Sequence, residues 1–86
     1  MMESGHKLQA IRKGMEIMKQ LYYEAGGRNF RVESIKVGHD KSNGYYDIGI
    51  SWAMGAFVHQ PKRIKNMIRL DAEKLLLISI NRSEDV

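Results

Sequence analysis

The chain predicts an α+β domain: one N-terminal helix packed on a four-stranded antiparallel meander sheet. Three observations carry that expectation. Tyr46, Ile48, Ile50, Trp52 and Met54 alternate with Tyr45, Asp47, Gly49, Ser51 and Ala53, the period of a strand with one face in a core. Leu8, Ile11, Met15, Met18, Leu21 and Tyr22 recur at steps of three and four, which places them on one stripe of a helix. The order that follows is strand, strand, loop, strand, strand, so the helix is left to lie across one sheet face.

The helix is expected from about Lys7 to Ala25, with Lys7, Arg12, Lys13, Glu16, Lys19 and Gln20 on its polar side. Ser4 is its expected N-cap, although Lys7 does not complete a capping box. Gly26-Gly27 ends it, because glycine takes the left-handed C′ conformation without steric cost. Gly14 costs about 1 kcal/mol against alanine inside a helix and often marks the close approach of another element.

Phe30 and Val32 put even positions inward, whereas Ile35 and Val37 put odd positions inward. A β-bulge at Glu33-Ser34 accounts for the change of phase. Residues 39–44 form a loop in which Asn43-Gly44 supplies the hairpin turn. Residues 53–61 have no clean period. Ile64, Ile68 and Leu70 share a face in the next strand, and Leu76, Ile78 and Ile80 a face in the last. Between these, Asp71-Ala72-Glu73-Lys74 is a turn whose aspartate accepts hydrogen bonds from following amides.

Eighty-six residues make one domain, read here as 1–86 with flexible ends at 1–5 and 82–86. The 43% hydrophobic and 28% charged composition is that of an ordinary globular chain. No cysteine is present, which excludes disulfides and thiol chemistry and fits a reducing compartment. The longest uncharged apolar run, residues 52–58, is far short of the ~18–20 residues that cross a bilayer. Met1 to His6 lacks the basic and apolar regions of a signal peptide, so a cytoplasmic protein with no membrane partner is expected. The balance of 14 Lys+Arg against 10 Asp+Glu is mild, but residues 53–70 hold Lys62, Arg63, Lys65 and Arg69 and no acid.

Two stretches carry a resemblance. Val32-Glu33-Ser34-Ile35-Lys36 runs through Asn43-Gly44-Tyr45 into Ile48-Gly49-Ile50-Ser51, and Ile68-Arg69-Leu70-Asp71-Ala72-Glu73 is followed by Leu77-Ile78-Ser79-Ile80. In these the chain resembles small cystatin-like α-β-β-β domains of the PepSY type and the O-type gas-vesicle accessory proteins. Leu75 stands where their closing turn carries glycine. The resemblance implies the fold and a non-enzymatic, partner-binding role, and it transfers no site.

Candidate chemistry is sparse. His6, His39 and His59 are far apart in sequence with no cysteine to help, so they read as exposed histidines rather than metal ligands. Ser34, Ser42, Ser51, Ser79 and Ser83 lie in no nucleophile-elbow context, and His39-Asp40 are neighbours in a turn. Gly26-Gly27-Arg28-Asn29 follows a helix, where the dipole disfavours an anion, and reads as a cap. Trp52, Tyr46 and Phe57 read as core rather than pocket. No enzyme activity, cofactor or metal is expected.

Two binding readings stay open. The first is a self-associating or protein-binding domain, a homodimer in its simplest form. Its interface is Gly49, Ser51, Met67, Leu75 and Leu77 on the sheet face opposite the helix. One helix covers one face, and the run Leu75-Leu76-Leu77-Ile78 is apolar on both sides. Residues 53–61 folding back with Phe57 and Val58 are the competing cover. The second reading is a nucleic-acid or polyanion binder using the basic strand 62–69, with Arg63, Lys65 and Arg69 tracking phosphates and Tyr45 stacking a base.

Overall fold

In the computed structural model, residues 2–41, 43–54 and 62–83 are described. Helix α1 spans Met2–Tyr22, and the strands are β1 (Arg28–Asp40), β2 (Asn43–Met54), β3 (Lys62–Asp71) and β4 (Leu77–Ser83). The strands form one antiparallel sheet in the order β1-β2-β3-β4. This is the α+β helix-on-meander arrangement expected from the alternation. Among the described residues no helix is long and apolar enough to cross a membrane. The expected fold-back of residues 53–61, with Phe57 and Val58, falls almost entirely outside the described residues.

The helix differs from expectation in both its ends and its buried stripe. It begins at Met2, so Ser4 lies inside it rather than capping it. It closes through a Schellman arrangement: Gly27 N–H donates to the Tyr22 carbonyl (2.8 Å), Gly26 N–H to that of Tyr23 (3.0 Å), and Gly26 takes φ +97°. The sheet-facing row is His6, Ala10, Gly14, Met18 and Tyr22, one residue per turn. Ala10, Gly14 and Met18 are buried, while Leu8 and Leu21 are exposed. Gly14 faces the tips of Ile48 and Ile50, which approach the space of a missing Cβ to 3.3 and 3.4 Å. Small residues at the centre of the row let the helix sit close to β2.

The core is Ala10, Met18, Tyr46, Ile48, Ile50, Trp52, Ile68 and Leu70, flanked by Met15, Ile17, Tyr22, Phe30, Val32, Ile35, Ile64 and Ile80. The Trp52 ring stacks against Tyr22 (4.7 Å) and Phe30 (6.0 Å). Its indole N–H donates to the Asn66 side chain at 2.9 Å, which satisfies the one asparagine buried in the core. Gly27 faces this aromatic stack; a Cβ there would meet Trp52, Tyr22 and Phe30 atoms within 2.9–3.0 Å.

The predicted bulge is present: Val32 pairs with Ile50 and Ser34 with Gly49, leaving Glu33 as the extra residue. Phe30, Val32 and Ile35 join the core, but Val37 at the far end of β1 is exposed. A second irregularity lies between Arg28 and Arg31, where Asn29 takes φ 56°. The β1–β2 turn falls between the paired residues Asp40 and Asn43, with Lys41 at φ 61°, and not at Asn43-Gly44. A turn at 43–44 would set Asp40 opposite Asp47 and Gly38 opposite Gly49. The observed register instead sets Lys36 opposite Asp47 and Gly38 opposite Tyr45. In the β3–β4 turn, the Asp71 carboxylate accepts from the amides of Glu73 (3.1 Å) and Lys74 (2.6 Å), as expected.

Helix α1 lies against β1, β2 and β3, and among the described residues no Cα of the helix comes within 8 Å of one in β4. The reason is width. A helix about 10 Å across covers two strand spacings of about 4.8 Å, and this one is centred on β2. β4 is therefore an edge beyond the helix. A further register shift between Arg69 and Leu70 makes Ile78 an extra residue, so Leu76, Ile78 and Ile80 do not share one face. Ile80 pairs with Ile68 and packs on the core, whereas Leu76, Leu77 and Ile78 are 60, 46 and 55% exposed.

Candidate functional site

Side chains at odd positions of β2 point away from the helix, and the ladder fixes their neighbours. Reading across β1, β2 and β3, the rows are Arg28–Ala53–Arg63, Arg31–Ser51–Lys65, Ser34–Gly49–Met67, Lys36–Asp47–Arg69 and Gly38–Tyr45–Asp71. All four residues expected to contact nucleic acid (Tyr45, Arg63, Lys65 and Arg69) are on this face. They form two groups rather than one stripe.

At one end Arg69 donates to both carboxylate oxygens of Asp47 at 2.8 and 2.9 Å and lies 3.7 Å over the Tyr45 ring. That bidentate bond holds the guanidinium pKa above its ordinary value. The Tyr45 ring also occupies the space beside Gly38, where a Cβ would come within 2.5 Å of it. With glycine beneath and arginine over it, this tyrosine is a packed residue and not a free stacking platform.

At the other end the bulge decides the chemistry. An extra residue turns two successive side chains to one face. Glu33 accepts a hydrogen bond from Ser51 Oγ at 2.6 Å, while Ser34 Oγ fills the space left by Gly49. Arg63 Nη2 donates to Ser51 Oγ and to the Asn29 carbonyl, both at 2.8 Å, and its Nε is buried without a partner among the described residues. The Ser51 hydrogen bond, helped by Arg31, Arg63 and Lys65, holds the Glu33 carboxyl below its ordinary 4.5.

The five expected interface residues do not form one surface. Gly49 and Ser51 are buried under neighbouring side chains, among them the Lys65 stem, which passes 3.2 Å from a Cβ position on Gly49. Met67 lies beside the same position at 3.8 Å. Leu75 turns to the core in the left-handed region, at φ 58°, which is where a turn glycine would stand. Leu77 pairs with Leu70, itself a core residue. The long polar side chains of β1 and β3 cover the small residues of β2, and the exposed apolar surface is displaced to the β4 edge.

Of the histidines expected to be exposed, His39 is exposed, although in a strand and not a loop, and His6 is half-buried. His6 is in α1, half-buried against Tyr46, with Nε2 bonded to the Ala72 carbonyl; His39 is in β1 opposite Gly44. His59 lies outside the described residues. Among the described residues no three of His, Asp and Glu converge as a metal-binding group.

A groove of about 330 Å³ opens between the helix end and β1, lined by Lys19, Tyr23, Gly27, Arg28, Asn29 and Phe30. Arg28 already caps the helix there, donating to the carbonyls of Tyr23 and Gly27 at 3.1 and 2.8 Å and lying 4.2 Å over the Tyr23 ring. Sequence reasoning missed the open β4 edge. The signal was present in the contrast of 75–81, without a charge or proline, against the charge-rich 28–41 at the other edge. Comparison of the chain with protein-family models, curated proteins and solved structures finds no match, so the cystatin-like resemblance gains no support from them.

Proposed function

We propose that this is a self-associating domain whose β4 pairs antiparallel with β4 of a second copy. The observation that carries the reading is an edge strand beyond the helix, entered through three consecutive exposed aliphatic residues, Leu76 just before β4 and Leu77 and Ile78 at its start. Edge strands are ordinarily protected by charge, proline or irregular pairing. β1 has all but proline: two register shifts and Arg28, Arg31, Glu33, Lys36 and Asp40 along its length. β4 has one shift, at its start, and Arg82 as its one charge.

Charge supports a second copy as the occupant. A two-fold axis at Ile80 sets Ile80 against itself, Ser79 against Asn81, Ile78 against Arg82 and Leu77 against Ser83. No like charges meet in that register. Two β1 strands, by contrast, would bring several cations onto one new edge. The mass in solution tests the reading by sedimentation at tens to hundreds of micromolar, for wild type and for Ile78→Lys. A concentration-dependent dimer that Ile78→Lys makes monomeric, with its melting unchanged at low concentration, is the expected result. A wild-type monomer throughout that range would refute it.

A further inference from the structure

Independently of self-association, we infer that the outer corner of the sheet holds the phosphate backbone of a single-stranded nucleic acid on Arg31, Arg63 and Lys65. The ladder brings these cations together across three strands: Arg31 and Lys65 are both opposite Ser51, and Arg63 is opposite Ala53 in the adjoining row. Among the described residues, none of the three has a carboxylate within ion-pair distance. The one carboxylate nearby, Glu33, is hydrogen-bonded to the Ser51 hydroxyl and is held ionised by all three cations, so it offsets one charge of the three and leaves two. Like charges assembled on one face cost stability unless something neutralises them. Arg69, at the other end of the same face, does have its carboxylate, Asp47.

The kind of polyanion follows from what the face offers. β2 is a central strand whose amides and carbonyls are used in the ladders to β1 and β3, so only side chains remain for recognition. An extended acidic peptide would bind better at an open edge, where its own backbone finds partners. A phosphodiester chain carries its charge in its backbone and needs only cations, and arginine forks suit phosphate. The patch spans two strand spacings, about 10 Å, the width of one nucleic-acid strand and less than that of a duplex. With the Tyr45 ring held between Gly38 and Arg69, base stacking is absent and binding does not depend on sequence.

Arg28 is turned to the helix cap, and Arg63 uses Nη2 on Ser51 and the Asn29 carbonyl. Arg63 therefore meets a phosphate through its charge and Nη1, while Arg31 and Lys65 bring whole head groups, three cations in all. Three contacts to a single strand predict a salt slope of about −2, a loss of about 20-fold between 50 and 200 mM salt. Fluorescence anisotropy of labelled single-stranded oligonucleotides, with a duplex of the same length and poly-glutamate as competitors, reads this directly. The expected result is binding at 50 mM salt with that slope, weakened at least tenfold by the double variant Arg31→Glu/Lys65→Glu and unaffected by Lys7→Glu on the helix. Thermal melting of each variant checks that it is folded, and Lys65→Gln alone keeps the test available if the double variant is not. Four results would each overturn the inference: no binding at 200 μM protein, equal weakening by Lys7→Glu, equal competition by poly-glutamate, or a preference for the duplex.

Discussion

Gly27→Ala tests how closely the helix end packs on the Trp52 ring. The backbone at Gly27 lies outside the left-handed region, so alanine is not opposed there by conformation. Space opposes it instead. An added Cβ would come to 2.9 Å from a ring carbon of Trp52, 2.9 Å from the Tyr22 carbonyl oxygen and 3.0 Å from the Phe30 ring. The carbonyl is fixed, since it accepts the Gly27 amide at the helix end. The two rings are part of one stack, so neither turns away freely. Overpacking of this kind costs about 1–3 kcal/mol, and restricting the unfolded chain returns about 0.4–1 kcal/mol. From the middle of each range the net is a destabilisation of about 1.3 kcal/mol, or a fall in Tm of about 5–10 °C for a domain of this size. Calorimetry or circular dichroism measures it, and Trp52, the single tryptophan, reports the stack by fluorescence. A Tm equal to or above that of wild type, with unchanged fluorescence, would show that the helix end and the Trp52 ring are further apart than described.

Gly14→Ala makes the informative contrast. Its Cβ meets side-chain tips of Ile48 and Ile50 at 3.3 and 3.4 Å, which yield by small rotations, and helix propensity returns up to about 1 kcal/mol. Its melting temperature should match or exceed that of wild type. Asn66→Leu leaves the buried Trp52 N–H without an acceptor and should cost about 1–3 kcal/mol in urea unfolding; a loss below a few tenths would mean that water reaches the indole. Glu33 has a folded pKa below its ordinary 4.5, so its contribution is complete above that pH and is lost as the pH falls through the folded value. Glu33→Gln should therefore melt with a shallower decline than wild type below pH 4.5, and parallel acid limbs would refute the assignment.

What was legible in the sequence is what period alone decides. β2 alternates cleanly because it is central, with one face under the helix and the other under polar side chains. The change of phase at Glu33-Ser34 was visible because a bulge moves every later side chain to the other face. Of the expected helical stripe Met15, Met18 and Tyr22 do pack on the core, but the stripe's centre was missed because Ala10 and Gly14 are small. A count of large apolar residues selects Leu8 and Leu21, which are in water, while close packing selects the small ones. The hairpin turn was misplaced because Asn43-Gly44 is a strong local signal, overruled by cross-strand pairing: Lys36 with Asp47, and Gly38 with Tyr45. The interface residues were misplaced because a bulge at Ile78 and the left-handed Leu75 rotate the start of β4, and neither leaves a mark in the residue pattern. Covering Gly49 and Ser51 required knowing how far Lys65 and Met67 reach.

The His6–Ala72 hydrogen bond joins residues 66 apart and sets an order on how the chain is made. Helix α1 is synthesised before the surface it rests on, which belongs to β1, β2 and β3. At about 5–20 residues per second, roughly 2–10 s separate the appearance of Tyr22 from that of Ala72. A 21-residue helix is only marginally stable alone, so through that interval the ribosome carries a fluctuating segment with Met18 and Tyr22 in water. Its polar side, Arg12, Lys13, Glu16, Lys19 and Gln20, keeps that segment dispersed while the β1–β2 hairpin closes by local contacts. Nascent chains arrested before β3 should therefore recruit holding chaperones at the helix, and chains arrested beyond β4 should not.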